Sequence, residues 1–388
     1  MSDKLNTQLK RCVCSPSSAH ARRKLIGFRR EAEYRACKRH LERHGQRPHK
    51  AVDRARVLCC HIDERTSWQA LLGHRAIRYI EDDVKVKAHV LAAPAARKRR
   101  PAQAARRSAA LLLPRPEPAP KAAKRASGAE PDIPWNISRV QAPELWGQTR
   151  GAGVKLAILD TGIASHPDLR IAGGVNTIDG RSYQDDNGHG THVAGIAAAL
   201  GKRGQLAGVA PQVRLYAVKA LDRKGEGYVS DIVEGVEWCT RRGMQVINMS
   251  LGLEPGTSSQ ALREAVRRAR QRGIVVAASA GNSGSSATGI DEPASYPGVL
   301  GVAATTRANT IAAYSSRGAG VALAAPGSDI RSTWLGGGYR TMSGTSMAAP
   351  HAAGGAALLL ARRPSLGAAA ARRALLSGAK RLRGYTAR

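Results

Sequence analysis

Val154-Lys155-Leu156-Ala157-Ile158-Leu159-Asp160-Thr161-Gly162 is a short apolar run that ends in a carboxylate followed by a turn. That is the pattern of a buried strand in a parallel sheet. In open α/β sheets, sites lie at the carboxyl ends of the strands, where Asp160 falls. Two further stretches complement it. Asn187-Gly188-His189-Gly190-Thr191-His192-Val193-Ala194-Gly195 opens a small-residue run to Leu200 and sets His189 between glycines. Gly344-Thr345-Ser346-Met347-Ala348-Ala349-Pro350-His351 joins the Gly-rich turn Leu335 to Gly344 to the apolar run Met347 to Leu360. The latter run has the length and composition of a buried helix. Ser346 is therefore expected to expose its hydroxyl at a helix N-terminus, where unpaired N–H groups and the helix dipole favour developing negative charge. Each residue alone has a plainer reading: Ser346 as a helix cap, Asp160 as a turn residue or cap, His189 as a satisfied polar group. Together they supply a nucleophile, an orienter and a base.

Asp160-Thr161-Gly162, His189-Gly190-Thr191-His192 and Gly344-Thr345-Ser346-Met347-Ala348-Ala349-Pro350 resemble the three signature motifs of the subtilisin-like serine proteases. Their order, Asp then His then Ser, is that of subtilisin. The resemblance covers about residues 132 to 380. It implies that Ser346 attacks a peptide carbonyl, that His189 takes its proton and later protonates the leaving amine, and that Asp160 orients His189. It implies two oxyanion donors, the backbone N–H of Ser346 and the side chain of Asn282 in Ala278-Ser279-Ala280-Gly281-Asn282. A turn residue beside Gly281 is the alternative for Asn282.

Ser250-Leu251-Gly252 resembles the segment that pairs with a substrate strand and walls the primary specificity pocket, with Ala280 and Gly281 also placed at the substrate. Leu253 follows where a second Gly is common in the family, which would narrow the site. Gly289 to Pro297 resembles the loop at the pocket base. Asp291 or Glu292 would put a carboxylate there and select Arg or Lys before the scissile bond. A solvent-facing acidic turn is the other reading. Met347, next to the nucleophile, is expected to be peroxide-sensitive.

Asp168 matches a family calcium ligand. Leu200 to Leu206, however, carries Lys202 and Arg203 where many subtilisins have a calcium loop. Their side chains offer no ligand oxygen and repel a cation, so no tight calcium site is expected there. The chemistry requires no cofactor.

The pattern elsewhere fits this fold class, an α/β protein with a mostly parallel sheet covered by helices on both faces. Strands are expected at Val213 to Ala220, Gln245 to Ser250, Ile274 to Ser279 and Val299 to Ala304, with helices at Val229 to Arg242 and Ser258 to Arg272. Strands alternating with helices give such a sheet. The chain ends soon after the helix-like Gly367 to Leu376, so the last packing layer of the family is expected to be absent.

Four segments are expected. Residues 1–22 read as a disordered basic tail. Residues 23–93 read as a small α+β domain. Its strands are expected at Leu25 to Phe28, Arg54 to Ile62 and Ile77 to Asp83, its helices at Glu31 to His44 and Ser67 to Leu72. It resembles the ferredoxin-like propeptide of secreted subtilases, whose tail lies in the active site; Val84 to His89 is the matching tail here. An unrelated accessory domain is the alternative. Residues 94–131, rich in Ala, Pro and Arg, read as a flexible linker whose basic clusters suit self-cleavage. Residues 132–388 form the peptidase domain.

The formal net charge of the 388 residues is +32. Residues 1–130 hold 31 Lys and Arg against 12 Asp and Glu, so the excess is densest there. Such charge favours polyanions. No nucleic-acid module is present, and a bias towards Arg and Ala accounts for the charge without a specific nucleic-acid partner. The partners expected are protein or peptide substrates and the chain's own propeptide; a monomer is expected. Cys239 stands alone in the peptidase region, which therefore needs no disulfide, and Cys12-Val13-Cys14 and Cys59-Cys60 lack zinc-site spacing. No stretch approaches the ~18 apolar residues of a membrane span. The propeptide-like domain implies an extracellular enzyme, whereas the polar Met1 to Cys14, without an apolar signal core, points to the cytoplasm. A catalytically silent basic binding protein of the same fold, holding heparin or DNA at physiological salt, is the competing function.

Overall fold

A computed structural model describes residues 2–89, 91, 132–202, 205–253, 256–286, 289–380 and 382. The expected linker, 94–131, lies outside the described residues. In chain order the elements before it are α1 (Ser2–Cys12), β1 (Ala21–Phe28), α2 (Glu31–Arg43), β2 (Lys50–Val52), β3 (Val57–Asp63), β4 (Ile77–Asp82) and β5 (Lys85–Ala88). After it come α3 (Trp135–Arg139), α4 (Ala142–Leu145), β6 (Lys155–Asp160), β7 (Ile171–Asn176), α5 (His189–Ala198), β8 (Arg214–Lys219), β9 (Glu226–Tyr228) and α6 (Val229–Arg241). The series continues with β10 (Val246–Met249), β11 (Leu251–Gly252), α7 (Gln260–Gln271), β12 (Val275–Ser279), β13 (Leu300–Thr305) and β14 (Val321–Pro326). It closes with β15 (Ile330–Thr333), β16 (Tyr339–Met342), α8 (Thr345–Arg362) and α9 (Gly367–Gly378).

Seven strands form one sheet in the order β14-β13-β12-β10-β6-β8-β7, every neighbouring pair parallel. The apolar runs explain it. Successive strand residues point to opposite faces. Leu156 and Ile158 of β6 accordingly join the core beneath α5 and α8, while Ala157 and Leu159 join the core beneath α6 and α7. Val275 and Ala277 divide from Val276 and Ala278 in the same way. Both faces are thus apolar and both are roofed by helices. Truncating Leu159 or Ile158 would cost about 2–5 kcal/mol.

The N-terminal sheet runs β2-β3-β1-β4 with antiparallel neighbours. That order is the one expected of a ferredoxin-like unit. Its second helix, expected over Ser67 to Leu72, is only a 3₁₀ turn, Trp68–Leu71. One face of the sheet carries Ile26, Leu58 and Cys60 against Tyr34, Cys37 and Leu41 of α2. The other carries Leu25, Val57, Cys59 and Tyr79 into the core shared with α6 and α7.

The expected disordered tail, residues 1–22, is not observed. Residues 2–12 form α1, and Leu5, Leu9 and Cys12 lie on one helical stripe, buried beside α2. The overall polarity of the segment hid this stripe, whose 4- and 3-residue spacing is helical.

Carboxylates pin the two units together. Asp83 accepts from Ser230 N (2.9 Å) and Ser230 Oγ (2.8 Å) at the start of α6, and from Arg23 Nη2 (2.7 Å). Glu81 accepts from Ser259 Oγ (2.6 Å), Gln260 N (2.8 Å) and Ala261 N (3.1 Å) at the start of α7. Both supply acceptors and negative charge to helix N-termini. Lys50 reaches across to Asp231 and Glu234 of α6.

Candidate active site

Asp160, His189, Ser346 and Asn282 are brought together at the carboxyl edge of the parallel sheet. Asp160 ends β6, His189 opens α5, Ser346 lies in the first turn of α8, and Asn282 follows β12. Asp160 Oδ1 accepts from His189 Nδ1 (2.7 Å) and Thr161 N (2.7 Å). Burial pushes the His189 imidazole pKa down, but the adjacent Asp160 carboxylate, with Asp185 behind it, outweighs burial and raises it. That bond fixes the tautomer and leaves Nε2 as the working nitrogen. Nε2 has no hydrogen-bond partner among the described residues.

Ser346 Oγ instead donates to the Ser250 carbonyl (2.9 Å), so the serine–histidine bond is not closed in this arrangement. The Ser346 carbonyl in turn accepts from Ser250 Oγ (2.9 Å). Pro350, inside α8, explains why that carbonyl is free. Proline has no N–H to return to the residue four positions earlier. Ser346 was expected to be exposed, yet it is fully buried, as are Asp160 and His189. The chain itself covers it. Strand β5 lies antiparallel between β11 and β9, pairing Ala88 with Leu251 and Val86 with Gly227. Beyond it, His89 N donates to Ser250 O (3.4 Å), and Ser346 N donates to His89 O (3.4 Å).

Asn282 Oδ1 accepts from Thr345 N and Thr345 Oγ1, both at 2.9 Å. With its oxygen held twice, the amide presents Nδ2, which has no partner among the described residues. Leu251 and Gly252, expected beside a substrate strand, pair with the chain's own β5. Ala280 is buried and accepts from Asp291 N (2.9 Å), and Gly281 packs against the Asp291 carboxylate. Of the two acidic candidates, Asp291 meets the His89 ring, with Oδ2 2.8 Å from Nε2. Glu292 turns away to Arg263 (2.6 Å), Tyr296 Oη (2.5 Å) and Ser259 N (3.1 Å). Leu253 is buried in the core and bridges Glu292, so it does not narrow the site. Met347 has no exposed surface, which opposes the expected ready attack by peroxide.

Two supporting residues, Asp185 and Ser279, escaped the sequence reading. Asp185 braces the start of α5: it accepts from Thr161 Oγ1 (2.8 Å), Gly188 N (2.8 Å) and Thr191 N (2.9 Å). Its signal was an acidic residue just before a helix start. Ser279 Oγ lies 2.7 Å from Nδ1 of His89, the last residue of the expected tail, and nothing local marks Ser279 for that contact. His192, in the same motif as His189, is structural. Burial pushes its pKa down to about 3, and Nε2 donates to Ile330 O (3.0 Å) and Arg340 O (2.9 Å).

The residues around Asp168 do not fit a calcium ion. Asp168 Oδ1 accepts from Gly201 N (3.1 Å), Tyr339 Oη lies 3.5 Å from Oδ2, and Lys202 contributes a cation to the loop. Among the described residues no three His, Cys, Asp or Glu side chains form a metal cluster. Burial pushes the Asp168 carboxyl up to about 7. An unfolded Asp ionises near 3.9. The Asp168 contribution to stability is therefore greatest below about pH 4, falls as pH rises towards 7, and stays lower above it. Asp168→Asn is expected to remove this fall, gaining about 2–4 kcal/mol on wild type between pH 4 and 8. Urea midpoints across that range measure it; a constant gap between the two proteins would refute it.

The sequence profile of the subtilase family matches residues 151–387. The chain is 49% identical to Subtilisin BL and to Subtilisin Savinase, both of Lederbergia lenta, over 235 residues, 60% of this chain and 86% of each relative. It is 48% identical to Subtilisin DY of Bacillus licheniformis over 255 residues, 64% of this chain and 92% of that protein. Among the described residues no helix is long and apolar enough to cross a membrane. A parallel sheet carrying Asp, His and Ser at one edge, and a family match over more than half of the chain, have one conclusion: this protein belongs to the subtilase family and is a serine endopeptidase.

Proposed function

We propose that the chain is a zymogen whose residues 23–93 act as its propeptide and inhibitor, and that Asp160, His189 and Ser346 form its catalytic triad. Ser346 attacks the peptide carbonyl, His189 carries its proton to the leaving amine, and Asp160 holds the imidazole and stabilises its charged form. The Ser346 N–H and Asn282 Nδ2 receive the oxyanion. Subtilase chemistry uses side chains and backbone donors and needs no cofactor. The observation that carries the reading is the lie of β5 and His89. A strand of the chain pairs with β11 as a substrate would, and its carbonyl oxygen rests on the Ser346 N–H. Asp291 in the pocket supports a preference for a cationic side chain before the scissile bond. A secreted enzyme is the setting in which an inhibitory propeptide has a use.

Mass spectrometry of the purified wild type beside Ser346→Ala tests this. The wild type is expected to be cut between the N-terminal unit and residue 132, and the variant to stay whole. Two whole chains that also leave an external peptide intact would overturn the reading.

Glu81 tests inhibition separately, since its three bonds all cross to α7. Losing them is worth about 1–3 kcal/mol, roughly a 5- to 150-fold weaker hold on the peptidase domain. Glu81→Ala is expected to shorten the lag before activity emerges in a peptide-cleavage time course. An unchanged lag would mean that docking at α7 does not limit release.

A further inference from the structure

The specificity pocket is filled by His89. Both ring nitrogens are engaged: Nδ1 lies 2.7 Å from Ser279 Oγ, and Nε2 lies 2.8 Å from Asp291 Oδ2. The ring and the carboxylate are both buried, and Asp291 Oδ1 has no partner among the described residues. A buried carboxylate without a donor is costly. His89 supplies a donor to Oδ2 and leaves Oδ1 unpaired, so an occupant without a donor would leave both carboxylate oxygens unpaired. Its walls are shaped for such a ring. A Cβ at Gly252 would lie 2.4 Å from the His89 ring. One at Gly281, where φ is +106°, would lie 2.7 Å from the Asp291 carboxylate. Asp291 stands at the reach of an imidazole Nε2 while Ser279 meets the ring's second nitrogen. Lys and Arg are longer than the histidine that spans the gap between Ser279 Oγ and Asp291 Oδ2. Leu and Phe leave both polar groups unpaired. A site built on hydrogen bonds rejects ligands that lack them.

We propose that this is a histidine pocket: the enzyme cuts on the carboxyl side of histidine, Ser279 and Asp291 determine that choice, and its own first cut follows His89. The proposal rests on the triad reading above. Ser346 Oγ adds to the His89 carbonyl carbon and its proton passes to His189. The tetrahedral intermediate collapses with cleavage of the C–N bond, and His189 gives the proton to the leaving amine. Water then hydrolyses the ester, restores Ser346 and leaves His89 with a free carboxylate in the pocket.

The full chain and a peptide series varying only before the bond (His, Arg, Lys, Leu, Phe) test it. Mass spectrometry is expected to give a wild-type fragment ending at His89 and an intact Ser346→Ala chain. The processed enzyme is expected to favour the His peptide over the Phe peptide by about 10- to 100-fold in kcat/KM, and Asp291→Asn to bring that ratio close to one. The ratio compares two substrates on one protein, so partial loss of folded enzyme does not move it. A first cut elsewhere, or a ratio unmoved by Asp291→Asn, overturns the proposal. Arg or Lys ahead of His overturns it but keeps the cationic preference; Leu or Phe ahead removes both. No difference between wild type and Ser346→Ala removes the triad reading beneath them.

Discussion

Ser346→Ala is expected to lower kcat by about 10⁶-fold, a size known for subtilisin itself rather than derived from these distances. The alanine has no oxygen to form the acyl-enzyme, and His189 then has no proton to move. KM for peptides is expected to change little. On the proposed reading a peptide takes the place of β5 and His89, whose contacts with β9, β11 and Asp291 do not use Ser346 Oγ. Folding is expected to lose only the Ser346 Oγ bond to the Ser250 carbonyl, about 0.5–1.5 kcal/mol. Steady-state kinetics on a soluble peptide, with a thermal melt alongside, measure both. Residual kcat within tenfold of wild type would remove Ser346 as the nucleophile.

Asn282→Ala is expected to lower kcat by about 10²- to 10³-fold with KM nearly unchanged, again the magnitude seen for the equivalent donor in subtilisin. The geometry says why the loss falls on kcat. In the ground-state-like arrangement the His89 carbonyl oxygen is bonded by Ser346 N, whereas Asn282 Nδ2 has no partner among the described residues. A donor idle towards the carbonyl and ready for the oxyanion stabilises the transition state more than the bound substrate, and only that difference speeds the chemical step. The double hold of Thr345 on Asn282 Oδ1 keeps the amide pre-aligned, so little reorganisation is left for the reaction. A matching rise in KM, with kcat intact, would instead make Asn282 a substrate-binding residue.

The two units also respond differently to perturbation. Asp168 is buried in the peptidase domain, so the cost of its charge is expected as a pH-dependent loss of stability there. Glu81 and Asp83 lie between the units, and their loss is expected in the kinetics of activation.

The sequence by itself determined the architecture of the parallel sheet and singled out Asp160, His189 and Ser346 at its edge. The apolar runs at β6, β10, β12 and β13 are local properties of the chain, because a strand buried on both faces is apolar at nearly every position. Strands such as β7, with its paired glycines, and β14, three alanines among Val321, Leu323 and Pro326, carry weak local signals and were legible only once their partners were in place. Helix α1 was hidden because three apolar residues in a polar segment mean little until α2 is there to cover them. Asp160, His189 and Ser346 stood out because each sits where a strand ends or a helix begins.

What only the tertiary structure decided is how the chain meets its own site. His89 and Ser279 are 190 residues apart, and no spacing rule links them. Their contact exists because the N-terminal sheet packs its second apolar face on α6 and α7, with Glu81 and Asp83 fixing the register. That docking feeds β5 between β9 and β11 and sets one histidine against one buried carboxylate. Local pattern encodes elements; the choice among distant side chains is made by packing.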